Sequence, residues 1–495
     1  MNAKLITVIA FIGILSSCHF KSPDRSNSAE MFNEKYRPQY HFSPPTNWMN
    51  DPNGMVYHDG EYHLFYQHYP DGNKWGPMHW GHAVSSDMIH WEHLPIALYP
   101  DSLGYIFSGS AVIDVNNTTG FGSKEKPAMV AIYTYHDAKA EREGKVDFQT
   151  QGIALSLDNG RTWTKYKGNP VLNNPGIRDF RDPKVSWNEK LNKWVMILAV
   201  KDHVTIYSSP DLKNWAFESE FGNDIGAHGG VWECPDLFPL TDDSGSTHWV
   251  MLVSINPGGP QGGSATQYFV GQFDGSEFIP YDTITRWVDY GADNYAGVTW
   301  SNIPESDGRR LFLGWMSNWQ YANEVPTTEW RSAMTIPREL KLQFIDKEPA
   351  LISTPVDELK KLESTPVKFS ETINLKNSLF KLDLKPTELP FELHFSNDLN
   401  DELIISFTRE NVKVNRANSG KTGFSDLFPA THFMDMKGKP MNNIQVYSDR
   451  SSLELFINGG QLVMSELVFP NSPYNKLWIT NKNVESEITY LKPIW

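Results

Sequence analysis

The segment from about Tyr40 to about Gln343 consists almost entirely of short runs of aromatic and β-branched residues, each ended by Gly, Pro, Asn or Asp. Examples are YHLFYQH from Tyr62, AMVAIYTY from Ala128, KWVMILAV from Lys193 and HWVMLVSI from His248. Runs of this length and composition favour β-strands joined by tight turns. Because no long helical periodicity interrupts them, the segment predicts an all-β fold.

A turn signature recurs three times within this segment. It reads SSDMIHW ending at Trp91, SLDNGRTW ending at Trp163 and SPDLKNW ending at Trp215. Each copy places an Asp in a tight turn and a Trp on the next strand, as expected for four-stranded blades around an axis. An irregular sandwich is the alternative, but about 300 residues is too long for one sandwich and suits about five blades. We therefore predict a five-bladed β-propeller over residues 39–345.

A second β unit follows. Residues 346–366 are rich in Pro, Lys and Glu and predict a linker, in which PVDELKKL favours a short helix. From Val367 the alternating runs FELHFS, LIISFTR, IQVYSD and SLELFING predict a β-sandwich over residues 367–495. The predicted fold class is all-β, a five-bladed β-propeller followed by a C-terminal β-sandwich.

The charge balance excludes some classes of partner. The chain has 44 basic and 59 acidic residues, a net charge of -15, which repels phosphate backbones and anionic lipid surfaces. Nucleic acid is therefore not an expected partner. The 17 Trp, 20 Tyr and 27 Phe residues offer flat apolar faces on which sugar rings can pack, although most such rings belong to the core.

The amino terminus has the pattern of an export signal over residues 1–17. Lys4 precedes an apolar stretch, Leu5 to Leu15, that is too short to span a bilayer. The run Leu15-Ser16-Ser17-Cys18 resembles a bacterial lipobox, which predicts a lipid on Cys18 and a polar tether over residues 18–38. A signal peptide that merely contains a Cys is the alternative. The interpretation predicts an exported protein, periplasmic or on the cell surface, that contacts the membrane through its N-terminal lipid only.

Three carboxylates occur in similar settings, beside Pro and near an aromatic or Arg side chain. They lie in WMNDPNG from Trp48 to Gly54, in RDP from Arg181 and in ECPDL from Glu233. An Asp before Pro usually starts an Asx turn, so WMNDPNG alone is weak evidence for catalysis. Together, three carboxylates on separate blades could converge at the mouth of a propeller, one ionised to attack a sugar carbon and another protonated for the leaving oxygen.

With these motifs in this order, the sequence from about His41 to its end resembles glycoside hydrolase family 32, the invertases, inulinases and levanases. The resemblance implies a five-bladed propeller followed by a β-sandwich. It also implies that Asp51 is the nucleophile, that Glu233 is the general acid/base and that Asp182 binds fructose hydroxyls and stabilises the transition state. The reaction would retain configuration at the fructosyl C2 and require neither metal nor cofactor.

The resemblance extends to substrate-binding residues. The positions that match those lining the family's fructose pocket are Asn50, Gln67, Trp75, Phe107, Ser108, Arg181 and Trp319. GADNYA from Gly291 matches the Asp-x-Tyr-Ala element, which implies that Asp293 also binds a hydroxyl, although Asn294 stands where Phe is common. We also expect Arg181 to keep Asp182 charged and to donate hydrogen bonds near Glu233.

Other reactive side chains have simpler interpretations. The pair His79 and His82 has the spacing of two zinc ligands, but the flanking Trp and Gly residues favour a blade strand and a turn. Cys234 adjoins Glu233 without a clear His base nearby, which favours a packed thiol over a nucleophile. The aspartates of the three repeated turns, together with Asp24 and Asp71, are interpreted as surface or turn residues.

The predicted substrates are fructans (levan, inulin) and sucrose. We expect cleavage from the chain end, because a propeller mouth can enclose one terminal ring and Gly314 to Thr327 can supply Trp319 and Tyr321 as walls. An endo-levanase, a non-catalytic fructan-binding lipoprotein and a transferase are alternatives. An arabinan- or xylan-type hydrolase is disfavoured by WMNDPNG. The sequence leaves open the linkage preference and the oligomeric state.

Overall fold

The computed structural model describes residues 31–495, so the predicted signal peptide and Cys18 lie outside the described part of the chain. Within residues 31–495 the regular structure is nearly all β. The α-helix α1 (Ala138–Arg142) and a 3-10 helix (Asp357–Leu362) are both short. Over the same range no helix combines the length and apolarity needed to cross a bilayer.

Five antiparallel sheets follow one another along residues 47–355. The first contains β1 (Asn47–His58), β2 (Glu61–Tyr69), β3 (His79–Ser85) and β4 (Glu92–Leu98). The second contains β5 (Tyr105–Asp114), β6 (Ala128–His136), β7 (Gln149–Ser156) and β8 (Thr164–Lys165). The third contains β9 (Phe180–Asn188), β10 (Lys193–Val200), β11 (His203–Ser209) and β12 (Ala216–Phe221).

The last two sheets have short extra strands. The fourth contains β13 (Val231–Thr241), β14 (Thr247–Asn256), β15 (Ala265–Phe273), β16 (Phe278–Pro280) and β17 (Arg286–Trp287). The fifth contains β18 (Tyr295–Thr299), β19 (Arg310–Met316), β21 (Ala333–Met334), β22 (Arg338–Ile345) and β23 (Glu348–Pro355). From the chain between β19 and β21, β20 (Trp330–Arg331) pairs in parallel with β1 and so ties the fifth blade to the first.

The first strands of the five sheets, β1, β5, β9, β13 and β18, contact one another in a ring. Each sheet is therefore a blade with its first strand innermost, and the predicted five-bladed propeller is confirmed. Apolar side chains fill the space between neighbouring blades, as in the cluster of Val195, Ile197, Met251 and Val253 between the third and fourth. The ring brings one end of every inner strand to a common mouth.

The repeated turn signature occupies the same place in three blades, between the third and fourth strands. Asp87 and Asp211 each accept two backbone N–H groups of their own turn, and Asp158 accepts one. The Trp that ends each copy donates its indole N–H to a carbonyl three residues earlier, at 3.0, 2.9 and 3.1 Å. The sequence repeat thus reflects a structural repeat of the blade, and these aspartates are turn residues.

The C-terminal domain consists of two six-stranded antiparallel sheets packed face to face. One contains β24 (Val367–Phe369), β26 (Phe380–Pro386), β31 (Ile444–Ser448), β32 (Ser452–Ile457), β33 (Leu462–Leu467) and β35 (Val484–Tyr490). The other contains β25 (Thr372–Asn374), β27 (Phe391–Ser396), β28 (Glu402–Phe407), β29 (Asn411–Asn418), β30 (Thr431–Asp435) and β34 (Lys476–Ile479). Alternate residues of β27 and β28 face a shared core, which confirms the predicted sandwich.

The structure moves the connection between the two domains. The sequence predicted a linker over 346–366, but residues 348–355 form β23, the outer strand of the fifth blade, paired with β22 from Ile345↔Glu348 to Arg338↔Pro355. Asp346 and Lys347 make the hairpin turn with φ of 52° and 72°. The Pro and Lys residues that indicated a linker therefore belong to a hairpin and its edge strand, where both residue types are tolerated. The connection starts at Val356, and the predicted short helix is the 3-10 helix.

Candidate active site

Each inner strand loses its regular pairing near the same mouth of the propeller. The register shifts lie between Met49 and Pro52 in β1, Ile106 and Gly109 in β5, Glu233 and Asp236 in β13, Tyr295 and Val298 in β18, and opposite Ile197 and Ala199 in β9. A bulge redirects a side chain out of the normal alternation of a strand. Asp51, Ser108, Asp182, Cys234 and Ala296 all lie within these irregular stretches, and Asp182, Cys234 and Ala296 have positive φ.

Asp51 is held by two neutral donors. Ser108 donates its hydroxyl to Oδ2 at 2.6 Å, and Asn50 donates its amide to Oδ1 at 3.0 Å. The Asn50 side chain is itself fixed, because its Oδ1 accepts the indole N–H of Trp48 at 2.7 Å. Burial, and then the nearby charge of Glu233, raises the pKa of Asp51. The carboxylate is thus oriented by hydrogen bonds and lacks a cation of its own.

Glu233 has a different set of neighbours. Arg181 donates from Nε at 3.2 Å and from a terminal nitrogen at 3.0 Å, both to Oε1. The hydroxyl of Tyr295 hydrogen-bonds to Oε2. Burial, followed by the charge of Glu233, raises the pKa of Tyr295 well above its usual range, so this phenol keeps its proton and acts as the donor. Glu233 can therefore be held in one orientation whether or not it carries a proton.

Asp182 is the most enclosed of the three carboxyl groups, with 5% of its surface exposed. Its Oδ2 accepts the backbone N–H of Cys234 at 3.0 Å, and its own N–H donates to Thr134. Burial raises the pKa of Asp182 to about 7, with the charges of Glu233 and Asp51 acting in the same direction and Arg181 opposing them. The expectation that Arg181 keeps this carboxylate charged is thus met only in part, because burial outweighs the cation.

Within residues 31–495, Arg181 is the only Arg or Lys side chain that lines the space between the three carboxyl groups. The charges of Glu233, Asp182 and Asp179 outweigh burial and raise the pKa of Arg181, whose other terminal nitrogen donates to Asp179 at 2.7 Å. Three acids around one fixed cation cannot all ionise easily in a partly dry cavity, so one proton is readily retained among them. Such a group can supply an ionised nucleophile and a protonated acid at the same time.

A cavity of about 360 Å³ opens between these groups. Ten of the eleven residues predicted to act on or bind substrate line it: Asn50, Asp51, Gln67, Trp75, Phe107, Ser108, Arg181, Asp182, Glu233 and Trp319. All five blades contribute to this set. The fifth blade contributes Trp319 and no residue of β18. The volume lies in the range of small-molecule sites.

Aromatic side chains form the rim of the cavity. Trp75 is 41% exposed and meets Phe107 edge to face, with ring centroids 6.1 Å apart. Trp319 stacks on Trp48 on the other side, at 5.8 Å. The two sides are joined, because Asn323 accepts the backbone N–H of Trp75 at 2.9 Å and Lys74 pairs with Glu324 at 2.8 Å. Loops from the first and fifth blades therefore close one side of the mouth.

Asp293 is not part of this cavity, and its predicted contact with substrate is corrected. Its side chain is completely buried at the contact between propeller and sandwich. Oδ2 accepts from Arg416 at 2.7 Å and from the backbone of Leu467 at 2.8 Å, and Oδ1 accepts the hydroxyl of Tyr321 at 2.7 Å. Both oxygens are occupied by protein donors. Tyr321, expected to form a wall, is also buried there and does not line the cavity.

Sequence reasoning did not single out Tyr295 or the backbone N–H of Cys234, which hydrogen-bond to Glu233 and Asp182. Tyr295 lies in the same GADNYA element as Asp293, so the segment was recognised but the wrong side chain was assigned to the site. The Cys234 N–H carried no sequence signal, because its direction depends on a φ of 46°. Burial raises the pKa of the Cys234 thiol well above its usual range, in keeping with a packed thiol.

The histidine pair occupies β3. His79 Nδ1 lies 2.9 Å from the Pro77 carbonyl, and His82 Nε2 lies 3.1 Å from His63. Within residues 31–495 no group of three or more His, Cys, Asp or Glu side chains has the arrangement of a metal site.

The sequence matches two family profiles that together span this architecture. One, described as Glycosyl hydrolases family 32 N-terminal domain, covers residues 41–355. The other, Glycosyl hydrolases family 32 C terminal, covers residues 350–492. The first profile ends where β23 ends.

Individual proteins similar to this chain include a levanase, exo-inulinases and a fructofuranosidase. A levanase of Bacillus subtilis (strain 168) is 48% identical over 100% of this chain and 76% of its own length. An extracellular exo-inulinase of Aspergillus ficuum is 38% identical over 95% of this chain and 94% of its own. The crystal structure of exo-inulinase from Aspergillus awamori superposes with a TM-score of 0.85 at 36% identity, covering 94% of this chain and 100% of that one. A fructofuranosidase from Schwanniomyces occidentalis complexed with fructose gives 0.83 at 33% identity, over 93% and 99% of the two chains.

Proposed function

Because this chain belongs to glycosyl hydrolase family 32, we propose that it is a retaining β-fructosidase that releases fructose from the ends of fructan chains and from sucrose. Glycosidase activity on β-fructosyl linkages follows from the family and from its levanase, exo-inulinase and invertase relatives. The observation that carries the proposal is the convergence of Asp51, Asp182 and Glu233 on one cavity around the single guanidinium of Arg181.

In the first step, ionised Asp51 attacks the anomeric C2 of the terminal fructosyl unit. Glu233 gives its proton to the glycosidic oxygen as the bond between C2 and that oxygen breaks. The products are a covalent fructosyl ester on Asp51 and a shortened chain with a new hydroxyl group. Loss of the Glu233 proton leaves a carboxylate that Arg181 and Tyr295 already hold in place.

In the second step, Glu233 removes a proton from water, and the resulting oxygen attacks C2. The ester bond to Asp51 breaks, its electron pair returns to the carboxylate, and fructose leaves with its original configuration. Two inversions at C2 account for net retention. Glu233 ends the cycle protonated, ready for the next substrate.

Asp182 is proposed to bind hydroxyl groups of the fructosyl unit and to stabilise positive charge on the ring in the transition state. Its position supports this role, because the backbone of Cys234 and the fold around Thr134 hold it deep in the cavity. Burial disfavours the charged form of Asp182, so the ionised carboxylate gains most from an interaction that appears only as positive charge develops nearby.

Chain-end cleavage is supported by the closed rim. An endo-acting enzyme needs an open groove with subsites on both sides of the bond that is cut. Here the contacts between Trp75 and Asn323 and between Lys74 and Glu324 cross the space that such a groove would occupy on one side. The remaining opening suits a terminal ring bordered by Trp75 and Trp319.

The test is product analysis with purified full-length chain on levan, inulin and sucrose. Fructose as the only early product from a polymer supports the proposal. A ladder of fructo-oligosaccharides at low conversion would replace it with an endo-levanase, transfer products in place of free fructose would indicate a transferase, and no release from any substrate would leave only a binding protein. Glu233→Gln serves as the inactive control for contaminating activity.

The chain is an exported protein, in agreement with the description of its Aspergillus relatives as extracellular. We propose in addition that a lipid on Cys18 anchors it to a membrane, on the basis of the Leu15-Ser16-Ser17-Cys18 run. Fractionation of cells that express the wild type and Cys18→Ala tests this. The wild type should sediment with membranes and the variant should be soluble, with equal activity on sucrose; a soluble wild type would contradict the anchor.

A further inference from the structure

A second cavity lies at the opposite mouth of the propeller. Its volume, about 360 Å³, equals that of the catalytic cavity, and the two have no lining residue in common. The far ends of the inner strands β5, β9, β13 and β18 border it, with Lys184, Trp187, Asp236, Phe238, Trp249 and Arg310 among its lining residues. It is therefore coaxial with the active site and faces the other side of the domain.

A polar layer inside the ring separates the two cavities. Asp236 accepts the backbone N–H of Thr299 at 2.7 Å and its hydroxyl at 2.8 Å, and it pairs with Lys184 at 3.1 Å. These groups satisfy one another, so Lys184 and Asp236 belong to the floor of the second cavity. A ligand there would not reach the catalytic carboxyl groups.

Arg310 is not satisfied in the same way. Its guanidinium lies over the ring of Phe238, 4.9 Å from the centroid, and its Nε has no hydrogen-bond partner within residues 31–495. Burial lowers the pKa of Arg310, with the charge of Asp236 opposing it, and the side chain as a whole remains partly exposed where it lines the cavity. A buried donor without an acceptor is costly, and more so when it belongs to a charged group. The indole N–H of Trp187 is likewise without a partner among the described residues.

The lining favours a ligand rich in oxygen acceptors but without net charge. Trp187 and Trp249 are both only partly buried, so they can present ring surface to a ligand. Lys184 is neutralised by Asp236, and the positive charge of Arg310 is accompanied at the cavity edge by the exposed carboxylate of Glu189. Aromatic faces beside unmatched N–H donors suit a saccharide, whose rings stack and whose oxygens accept.

We propose that this cavity is a second saccharide-binding site, which holds a fructosyl oligosaccharide or a segment of the polymer away from the catalytic pocket. The choice of saccharide rests on the proposed function. Binding at two separate points raises the local concentration of chain ends without any change in the chemistry. Arg310 donates to ring or hydroxyl oxygens of this ligand, and Trp249 packs against a sugar face.

The test uses full-length Glu233→Gln, which cannot turn over its ligand, titrated calorimetrically with short inulin-type and levan-type fructo-oligosaccharides. We expect two binding events per chain. Adding Arg310→Met, which keeps the contact with Phe238 but removes the donors, should weaken one event about tenfold or more, equivalent to ~1.4 kcal/mol. Trp249→Ala should weaken the same event. Arg309→Ala is the matched control, because Arg309 is paired with Asp307 and Glu358 outside the cavity.

The outcomes separate this proposal from the proposed function. Wild type that releases fructose, together with a single binding event that Arg310→Met does not alter, would overturn the second site alone. An Arg310-dependent event produced by inorganic phosphate and not by saccharide would also overturn it. An Arg310-dependent saccharide event would support the second site even if no fructan were hydrolysed. In the active chain, Arg310→Met should keep the wild-type kcat on sucrose and should not lower the melting temperature.

Discussion

The catalytic cavity and the contact between the two domains both concentrate buried carboxylates, with opposite results. In the cavity, Asp51, Asp182 and Glu233 lie together, and Arg181, the one Arg or Lys side chain among the described residues that line it, hydrogen-bonds to Glu233 alone of the three. At the domain interface, by which we mean the buried ion-pair networks that lie where propeller and sandwich meet, the acids are matched by Arg338, Arg416, His41 and His432. The acids concerned are Asp289, Asp293, Asp449, Glu454 and Glu466.

The number of cations per acid explains the difference. Burial raises the pKa of Asp182 to about 7 in the cavity, where one guanidinium is not enough. At the interface burial acts on Glu454 in the same direction, but Arg338 and His41 outweigh it and lower its pKa. A carboxyl that can gain or lose a proton is useful for catalysis, whereas one that stays charged is useful for fixing two domains in register.

The largest effect should come from neutralising acids in the cavity. Glu233→Gln removes the proposed general acid and base and should lower kcat/KM on sucrose about 10²–10⁴-fold. Asp51→Asn removes the proposed nucleophile and should lower kcat/KM at least as much. The matched interface variant, Asp293→Asn, should keep kcat within a few-fold. Steady-state kinetics checks all three. Equal losses in Asp293→Asn and Glu233→Gln would erase the functional distinction between the two regions.

Removing a cation from the interface should change stability instead of chemistry. Arg416→Met leaves Asp293 and Glu466 buried without their shared partner, and breaking a buried pair in this way costs about 3–5 kcal/mol. Urea unfolding measures the loss. Arg161→Ala is the control, because the ion pair of Arg161 with Glu61 is partly exposed and should contribute at most about 1 kcal/mol. A similar small loss for both variants would contradict the view that the interface depends on matched charges.

What the sequence could predict depends on whether the partners of a residue lie near it or far from it along the chain. The turns at Asp87, Asp158 and Asp211 were recognisable because every backbone N–H that each Asp side chain accepts lies within four residues along the chain. The three catalytic motifs were recognisable through family resemblance, and their convergence then followed from the propeller ring.

The sequence alone could not distinguish the role of Asp293 from that of Asp182. Both follow turn-like sequence, and both are buried. The partner that decides the role of Asp293 is Arg416, 123 residues further along the chain on another domain. The end of the propeller was missed for a related reason, since β23 is identified by its pairing with β22 and not by its own Pro- and Lys-containing sequence.

The interface should also respond to pH. Burial opposes protonation of His41, but Asp449 and Glu454, at 2.8 and 2.9 Å, outweigh it and raise its pKa to about 9. A raised pKa means that the folded state binds the proton more tightly, so this contribution is complete below about pH 6.5 and is lost as pH rises through about 9. The shift corresponds to about 3 kcal/mol.

Urea unfolding of the wild type between pH 6.5 and 9.5 should therefore show a falling free energy of unfolding, and His41→Gln should flatten the slope in that window. His90 provides the control, since it is exposed and pairs only with the turn residue Asp87. A His41→Gln profile parallel to that of the wild type would mean that His41 does not carry the pH dependence.

The smallest effect should come from the thiol that lies between two of the catalytic acids. Cys234 Sγ is 3.6 Å from Asp51 and 3.7 Å from Asp182, but its firm contact with Asp182 is the backbone N–H at 3.0 Å. Cys234→Ala keeps that N–H and removes only a weak S–H donor, so it should change kcat/KM by less than about fivefold, or ~1 kcal/mol. Kinetics with and without iodoacetamide measures this. Because the thiol is buried and its pKa is high, the reagent should not inactivate the wild type; a loss of activity near that of Glu233→Gln would instead give the sulfur itself a role in the reaction.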